Sequence, residues 1–258
     1  MKNGSPAPGD SEHAVFASSL VKRYKKTARP ALHGFNLHVQ RGEFFGLLGA
    51  NGAGKTTAIS IFSTLFPPDS GSVLIMGVDP VQQPNKVRLL SGLVPQDIAL
   101  YENLTVVENL QFFGRLSGLH GKQLESRVEW CLDFAGLSGR AVQLVSTCSG
   151  GMKRRLNLAA GLLHAPQILF LDEPTVGIDA QSRALIHDQL IQLNKKGTTI
   201  IYTTHYMEEA QELCSRIGII DEGRIVIQGN PAELLRQSGK GTLEEFFLQL
   251  TGRELRDV

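Results

Sequence analysis

The sequence predicts an α/β fold in which a mostly parallel sheet carries a second, helical lobe. Three observations predict it. Strand-like runs alternate with helical stretches toward both ends of the chain, the pattern of a sheet covered by crossover helices. Between about 97 and 163 the alternation gives way to helical periodicity alone. A glycine-rich turn at 49–56 stands between an apolar strand and a helix, the place where such sheets bind ligands. At 258 residues, 42% hydrophobic and 20% charged, the chain is long enough to bury the core this fold needs.

Each element has its own grounds. Residues 1–12, rich in Gly, Pro and Ser, read as a disordered tail without the apolar stretch of a signal peptide. Val15 to Tyr24 and Ala31 to Val39 read as strands, the second with Leu32, Leu37 and Val39 interleaved with polar residues. Glu43 to Gly49 is apolar on both faces, as a buried central strand is. A helix is expected from Lys55 to about Phe66, ended by the turn residues Pro67 to Gly71. Val106 to Leu119, Lys122 to Phe134 and Gly150 to Leu163 read as the helices of the lobe. Strand-like Ile168 to Leu171, Thr198 to Thr203 and Ile217 to Ile220 then alternate with helical Ala180 to Lys195 and Tyr206 to Cys214. The main domain spans 13–240, and 241–258 forms a closing helix and tail. In that helix Leu243, Phe246, Phe247 and Leu250 make one apolar stripe, Thr242 caps it with Glu245 three residues on, and Gly252 ends it.

Composition excludes several functions. A formal net charge of +1 supplies no field to draw nucleic acid or an anionic membrane. Cys131, Cys148 and Cys214 are odd in number and widely spaced, which supports neither a disulfide framework nor a zinc site and fits a reducing compartment. No apolar run reaches the length of a membrane span, so a membrane role must come through a partner.

Two motifs carry chemistry. Gly49-Ala50-Asn51-Gly52-Ala53-Gly54-Lys55-Thr56 matches G-x-x-x-x-G-K-[ST], with Thr57 following. Its glycines let backbone N–H groups curl round phosphate oxygens at a helix N-terminus. Lys55 can reach the outer phosphates, and the Thr56 hydroxyl can ligate Mg²⁺. Ile168 to Leu171 deliver Asp172 and Glu173 at a strand end. After such a turn, Asp172 suits Mg²⁺ and Glu173 suits a general base toward water. Pro174 next in line also fits a plain helix-start acid pair.

At Thr147-Cys148-Ser149-Gly150-Gly151-Met152-Lys153-Arg154-Arg155 the chain resembles ABC-family ATPases, whose signature is usually written L-S-G-G-Q. The resemblance runs from about 14 to 235, because further family motifs fall in order. Tyr24 resembles the aromatic that stacks on adenine, and Gln96 the glutamine that meets Mg²⁺ or the lytic water. Val176-Gly177-Ile178-Asp179 resembles the D-loop, and His205 the switch histidine at the γ-phosphate. The resemblance implies a P-loop NTPase (RecA-like) core with an N-terminal antiparallel β lobe and an inserted helical lobe. It implies ATP and Mg²⁺ as ligands, with Lys55, Gln96, Glu173 and His205 catalytic. Ser149, Gly150 and Gly151 would cap the ATP held by an opposite subunit, a second copy or a paralogue.

Cys148 and Met152 depart from the usual signature residues. The Met form followed by Lys153-Arg154-Arg155 is similar to the branch that exports drugs, polysaccharides, nodulation factors or lipids through separate permeases. The basic cluster itself is expected on the outer face of the lobe. The resemblance therefore implies a peripheral subunit at the cytoplasmic face of the membrane, bound to an integral permease, with no nucleic-acid partner. An importer's ATPase remains open, as does, more remotely, a soluble family member; intact Glu173 and His205 speak against a non-hydrolysing switch.

Overall fold

The computed structural model describes residues 13–252 except 26 and 28, so the tail expected at 1–12 and residues after 252 lie outside the described residues. The chain runs β1 (His13–Lys22), β2 (Leu32–Gln40), β3 (Phe44–Leu48), α1 (Lys55–Phe62) and β4 (Ser70–Ile75). It continues through α2 (Pro84–Leu90), β5 (Ser91–Val94), α3 (Val106–Leu116), α4 (Gly121–Phe134) and α5 (Gly150–Gly161). Then come β6 (Ile168–Asp172), α6 (Ala180–Lys195), β7 (Thr199–Thr204), α7 (Met207–Leu213) and β8 (Arg216–Asp221). β9 (Arg224–Gly229), α8 (Pro231–Ser238) and α9 (Leu243–Thr251) close it.

Two sheets form. β2-β1-β4 is antiparallel, and β5-β6-β7-β3-β8-β9 is parallel except for β9, which returns antiparallel along β8. β3, β6 and β7 are buried at every residue, which is why their sequences are apolar or threonine-rich without alternation. Alternate residues of these strands feed two cores. Phe44, Leu48, Leu169, Leu171 and Tyr202 face α5 to α9, whereas Phe45, Leu47, Ile168, Phe170 and Ile201 face α1 and the antiparallel sheet. A third cluster, built on Val106, Leu110, Val128, Cys131 and Leu156, fills the helical lobe.

The structure differs from the sequence expectation in places with local causes. α1 stops at Phe62 rather than Phe66, because Thr64 turns into the left-handed region at φ 67. β4 begins within the turn expected at Pro67 to Gly71 and runs on past it, burying Val73 and Ile75 alone. α2 buries only Val87. α9 docks its Leu243, Phe246 and Phe247 stripe beside α7 and α8, each side chain contributing about 1.5–3 kcal/mol before entropy is subtracted. Thr242 caps it as expected, but Glu245 reaches back to the Gly241 amide rather than to Thr242.

Candidate active site

The site is laid out by register. β6, β7 and β3 are neighbours and parallel, with Asp172 beside Thr203 and Leu48 beside Thr204. The chain leaving each at that end carries one expected group: the turn to Lys55 after β3, Glu173 after β6 and His205 after β7. Three segments far apart in sequence thus meet at one sheet edge.

Glu173 is the meeting point. Its carboxylate lies 3.1 Å from Lys55 Nζ through Oε1 and 3.1 Å from His205 Nδ1 through Oε2. Lys55 and Glu173 are each about one-twentieth exposed, so neither charge has water as an alternative partner. Lys55 Nζ also donates to the carbonyls of Gly49 (2.7 Å) and Ala50 (3.2 Å). The Glu173 backbone sits at φ 47, a costly conformation for a residue with a side chain, and its amide donates to Thr203 Oγ1 at 3.0 Å. Thr203 Oγ1 in turn donates to Asp172 Oδ1 at 2.7 Å. Thr203, which the sequence reading passed over as strand, fixes both acids.

The glycine turn fits a phosphate chain. A Cβ on Gly49 would lie 2.4 Å from the Ile220 carbonyl, and one on Gly54 (φ 115) 2.6 Å from that of Ala31, so the loop presses on neighbouring backbone. Gly52 faces open space on the other side, in a cleft of about 680 Å³ lined by Thr27, Ala31, Ala50, Asn51 and Ala53. Thr56 is exposed at the start of α1, and the second oxygen of Asp172 has no hydrogen-bond donor among the described residues. These are hard oxygen donors suited to Mg²⁺. Among the described residues no cluster of three His, Cys, Asp or Glu side chains could hold a metal. An ion here would complete its shell from phosphate and water.

The other expected residues lie apart. Tyr24 is exposed at 41%, packs edge-on against Phe66 and shares a 3.3 Å hydrogen bond with Thr57. Gln96 has an exposed side chain. Ser149 caps α5, accepting from the Met152 amide at 3.3 Å, and Gly150 beside it is exposed. Asp179 caps α6, accepting from the Ser182 amide and hydroxyl at 2.8 Å, and those bonds hold its carboxyl below the usual range. Gly151 lies so close to this cap that a Cβ would stand 2.0 Å from Ser182 Oγ. Among the described residues no hydrogen bond or ion pair joins Tyr24, Gln96 or Ser149 to Lys55, Glu173 or His205.

Two features escaped the sequence reading. Glu209, one helical turn past His205, is 4% exposed and accepts hydrogen bonds from Thr175, Tyr202 and Thr204 at 2.8–3.1 Å. It fastens the turn after Glu173 to the strand end before His205. An acid at that spacing after a strand-end histidine was the available signal. The basic cluster, expected on the outer face of the lobe, is instead engaged inward. Lys153 pairs with Glu102 at 2.6 Å, Arg154 is buried and donates to loop carbonyls, and Arg155 donates to the Ala135 carbonyl. α5 packs against α3, α4, α6 and β5, so it has little outer face to carry a solvent-facing cluster.

A phosphate-cradling turn, a strand-end acid pair and a histidine on adjacent parallel strands define a P-loop nucleoside triphosphatase. Residues 32–176 match the model of the ABC transporter family. The linearmycin resistance ATP-binding protein LnrL of Bacillus subtilis is 45% identical over 91% of this chain and 74% of its own length. The Nod factor export ATP-binding protein I of Ralstonia nicotianae is 41% identical over 89% of this chain and 71% of its own. A solved dimeric, post-hydrolysis ATP-binding cassette bound to ADP and phosphate superposes with a TM-score of 0.77. It is 28% identical and is covered over 98% of its length by 84% of this chain. The chain belongs to the ABC transporter family and is an ATPase of it.

Proposed function

We propose that this chain is the motor of an exporter, working head-to-tail with a second copy or a paralogue and driving a separate membrane permease. The observation that carries the reading is Glu173 held between Lys55 and His205. The triphosphate takes Lys55 as its counter-charge, which releases one oxygen of Glu173 to accept a proton from the attacking water. His205 keeps the other oxygen oriented and meets the charge that develops on the γ-phosphate. Gly49, Asn51, Gly52, Ala53, Gly54 and Thr57 line the phosphate cradle, and Tyr24 carries the base. Thr56, Asp172 and Gln96 would hold Mg²⁺, which when bound would neutralise phosphate charge.

Ser149, Gly150 and Gly151, exposed or unpartnered toward their own site, cap the partner's γ-phosphate, with Asp179 at the same seam. The permease docks in the groove of about 540 Å³ between the lobes, where Leu89, Pro95, Ala99, Phe113 and Leu116 are apolar and accessible. Among the described residues no helix is long and apolar enough to cross a membrane; the chain sits peripherally at the cytoplasmic face through the permease it drives. Relatives named for drug resistance and for export support direction outward. Co-expression with the permease and ATP-driven accumulation of labelled amphipathic compounds in inverted vesicles tests this. Accumulation only in right-side-out vesicles turns the reading to import.

A further inference from the structure

Arg154 sits in the second turn of α5, the helix capped by Ser149, and is 7% exposed. Its guanidinium spans two loops. Nη1 donates to the carbonyls of Gln96 and, at 3.5 Å, Pro95; Nη2 donates to the carbonyl of Val176 at 3.2 Å. One turn on, Asn157 Oδ1 accepts from the Ala99 amide at 3.2 Å. Lys153, the preceding residue, reaches Glu102. The face of α5 turned toward residues 95–102 is therefore polar, within a helix otherwise packed on Leu156, Leu158 and Ala159.

No carboxylate lies within ion-pair distance of Arg154 among the described residues. Burial alone lowers its pKa, and the more distant Asp97 favours the charge. A buried guanidinium without a counter-ion is a poor device for stability, since an apolar side chain of its volume would avoid the desolvation cost. What it supplies is geometry. Its planar fork fixes two acceptors relative to each other, which a methionine or a lysine does not do. One acceptor is the backbone of Gln96. The other lies between Glu173 and Asp179.

We propose that Arg154 is a strut that ties the Ser149 turn to the Gln96 loop and the Val176 loop, so that the two composite ATP sites of the dimer act together. The inference rests on the head-to-tail reading above. Ser149 to Gly151 serve the ATP of the partner, whereas Gln96 and Glu173 serve the ATP of their own chain. A rigid link between them lets capture of the partner's γ-phosphate set the local water-activating groups in register. Arg154 acts through these loops and is a positioning residue.

The test uses the full chain in a Glu173→Gln background, with Arg154→Gln, Arg154→Met and Arg154→Lys. Monomer affinity for a fluorescent ATP analogue, the ATP concentration that half-populates the dimer, and Tm are measured. The Hill coefficient and kcat are taken from the same Arg154 changes with Glu173 intact. The strut predicts unchanged monomer affinity and a Hill coefficient falling to one. Arg154→Gln and Arg154→Met should need about tenfold more ATP to dimerise, a typical coupling. Arg154→Lys should recover only part, since a point charge cannot hold two loops. A Glu173→Gln dimer whose ATP threshold the Arg154 changes leave unmoved overturns the strut alone. Monomer affinity lost in step with Tm also overturns it, because Arg154 is then simply structural. A Glu173→Gln chain that stays monomeric at saturating ATP overturns the head-to-tail reading, and the strut with it.

Discussion

The starts of α1 and α5 are both glycine-containing turns that open a helix, and their surroundings could hardly differ more. At α1, Lys55 is buried against Glu173 and two loop carbonyls, and Glu173 is buried against His205. At α5, Ser149 and Gly150 are exposed, and the serine oxygen meets only an amide of its own helix. The same backbone dipoles stand at both. The first turn has its complementary charges within the chain; at the second, the acid beside Gly151, Asp179, is engaged by Ser182, and among the described residues Ser149 bonds only to its own helix. Such a pair teaches that a half-furnished anion turn is best completed by another molecule; in the proposed head-to-tail dimer that molecule is the triphosphate carried by a second chain.

The largest expected effect falls on the furnished end. Glu173→Gln should keep ATP binding and cut steady-state turnover by about 10²–10⁴-fold, the range for a positioned general base. It should also trap a dimer visible by size-exclusion chromatography with ATP. Turnover within a few-fold of wild type would remove Glu173 from the role. The next effect contrasts the two turns directly. Lys55→Ala should abolish triphosphate binding, and Ser149→Arg should leave it intact while blocking hydrolysis. Mixing the two inactive proteins should partly restore hydrolysis, because one composite site then has both turns whole; activity of Ser149→Arg alone as a dilute monomer would break the comparison. The smallest effect lies at the cap between them. Asp179 has a depressed folded pKa, so its cap stabilises the fold at neutral pH and begins to fade near the ordinary aspartate value of about 4. Asp179→Ala should lower Tm slightly at pH 7 and lose that part of the acid dependence, which thermal melts at both pH values resolve.

What could be read from the sequence was what is local. The turn at 49–56 and the strand ending in Asp172-Glu173 are consecutive residues whose types state their task. His205 needed only its place after a strand. The antiparallel β4 and the short α2 bury too few side chains to write a period into the sequence. The roles of Arg154 and Glu209 are harder to read for a different reason. Arg154 acts on Gln96 and Val176, and Glu209 on Thr175, partners brought together only by tertiary folding. A buried charge looks like any other charge until its neighbours are known, so Lys153-Arg154-Arg155 read as solvent-facing.

The register that builds the site also sets an order of assembly on the ribosome. Phe45 of β3 pairs with Ile201 of β7 and with Arg216 of β8, and neither strand exists when β3 emerges. At ordinary translation speeds of about 5–20 residues per second, β3 waits on the order of ten to thirty seconds for its neighbours. Meanwhile the helices at 106–161 complete a core of their own, with local contacts that form early. A nascent chain therefore exposes one wholly apolar strand beside an already folded lobe, and a nonsense product ending before 199 keeps the glycine turn yet cannot seat it. β3 is paired on both edges only once β7 and β8 have both been made.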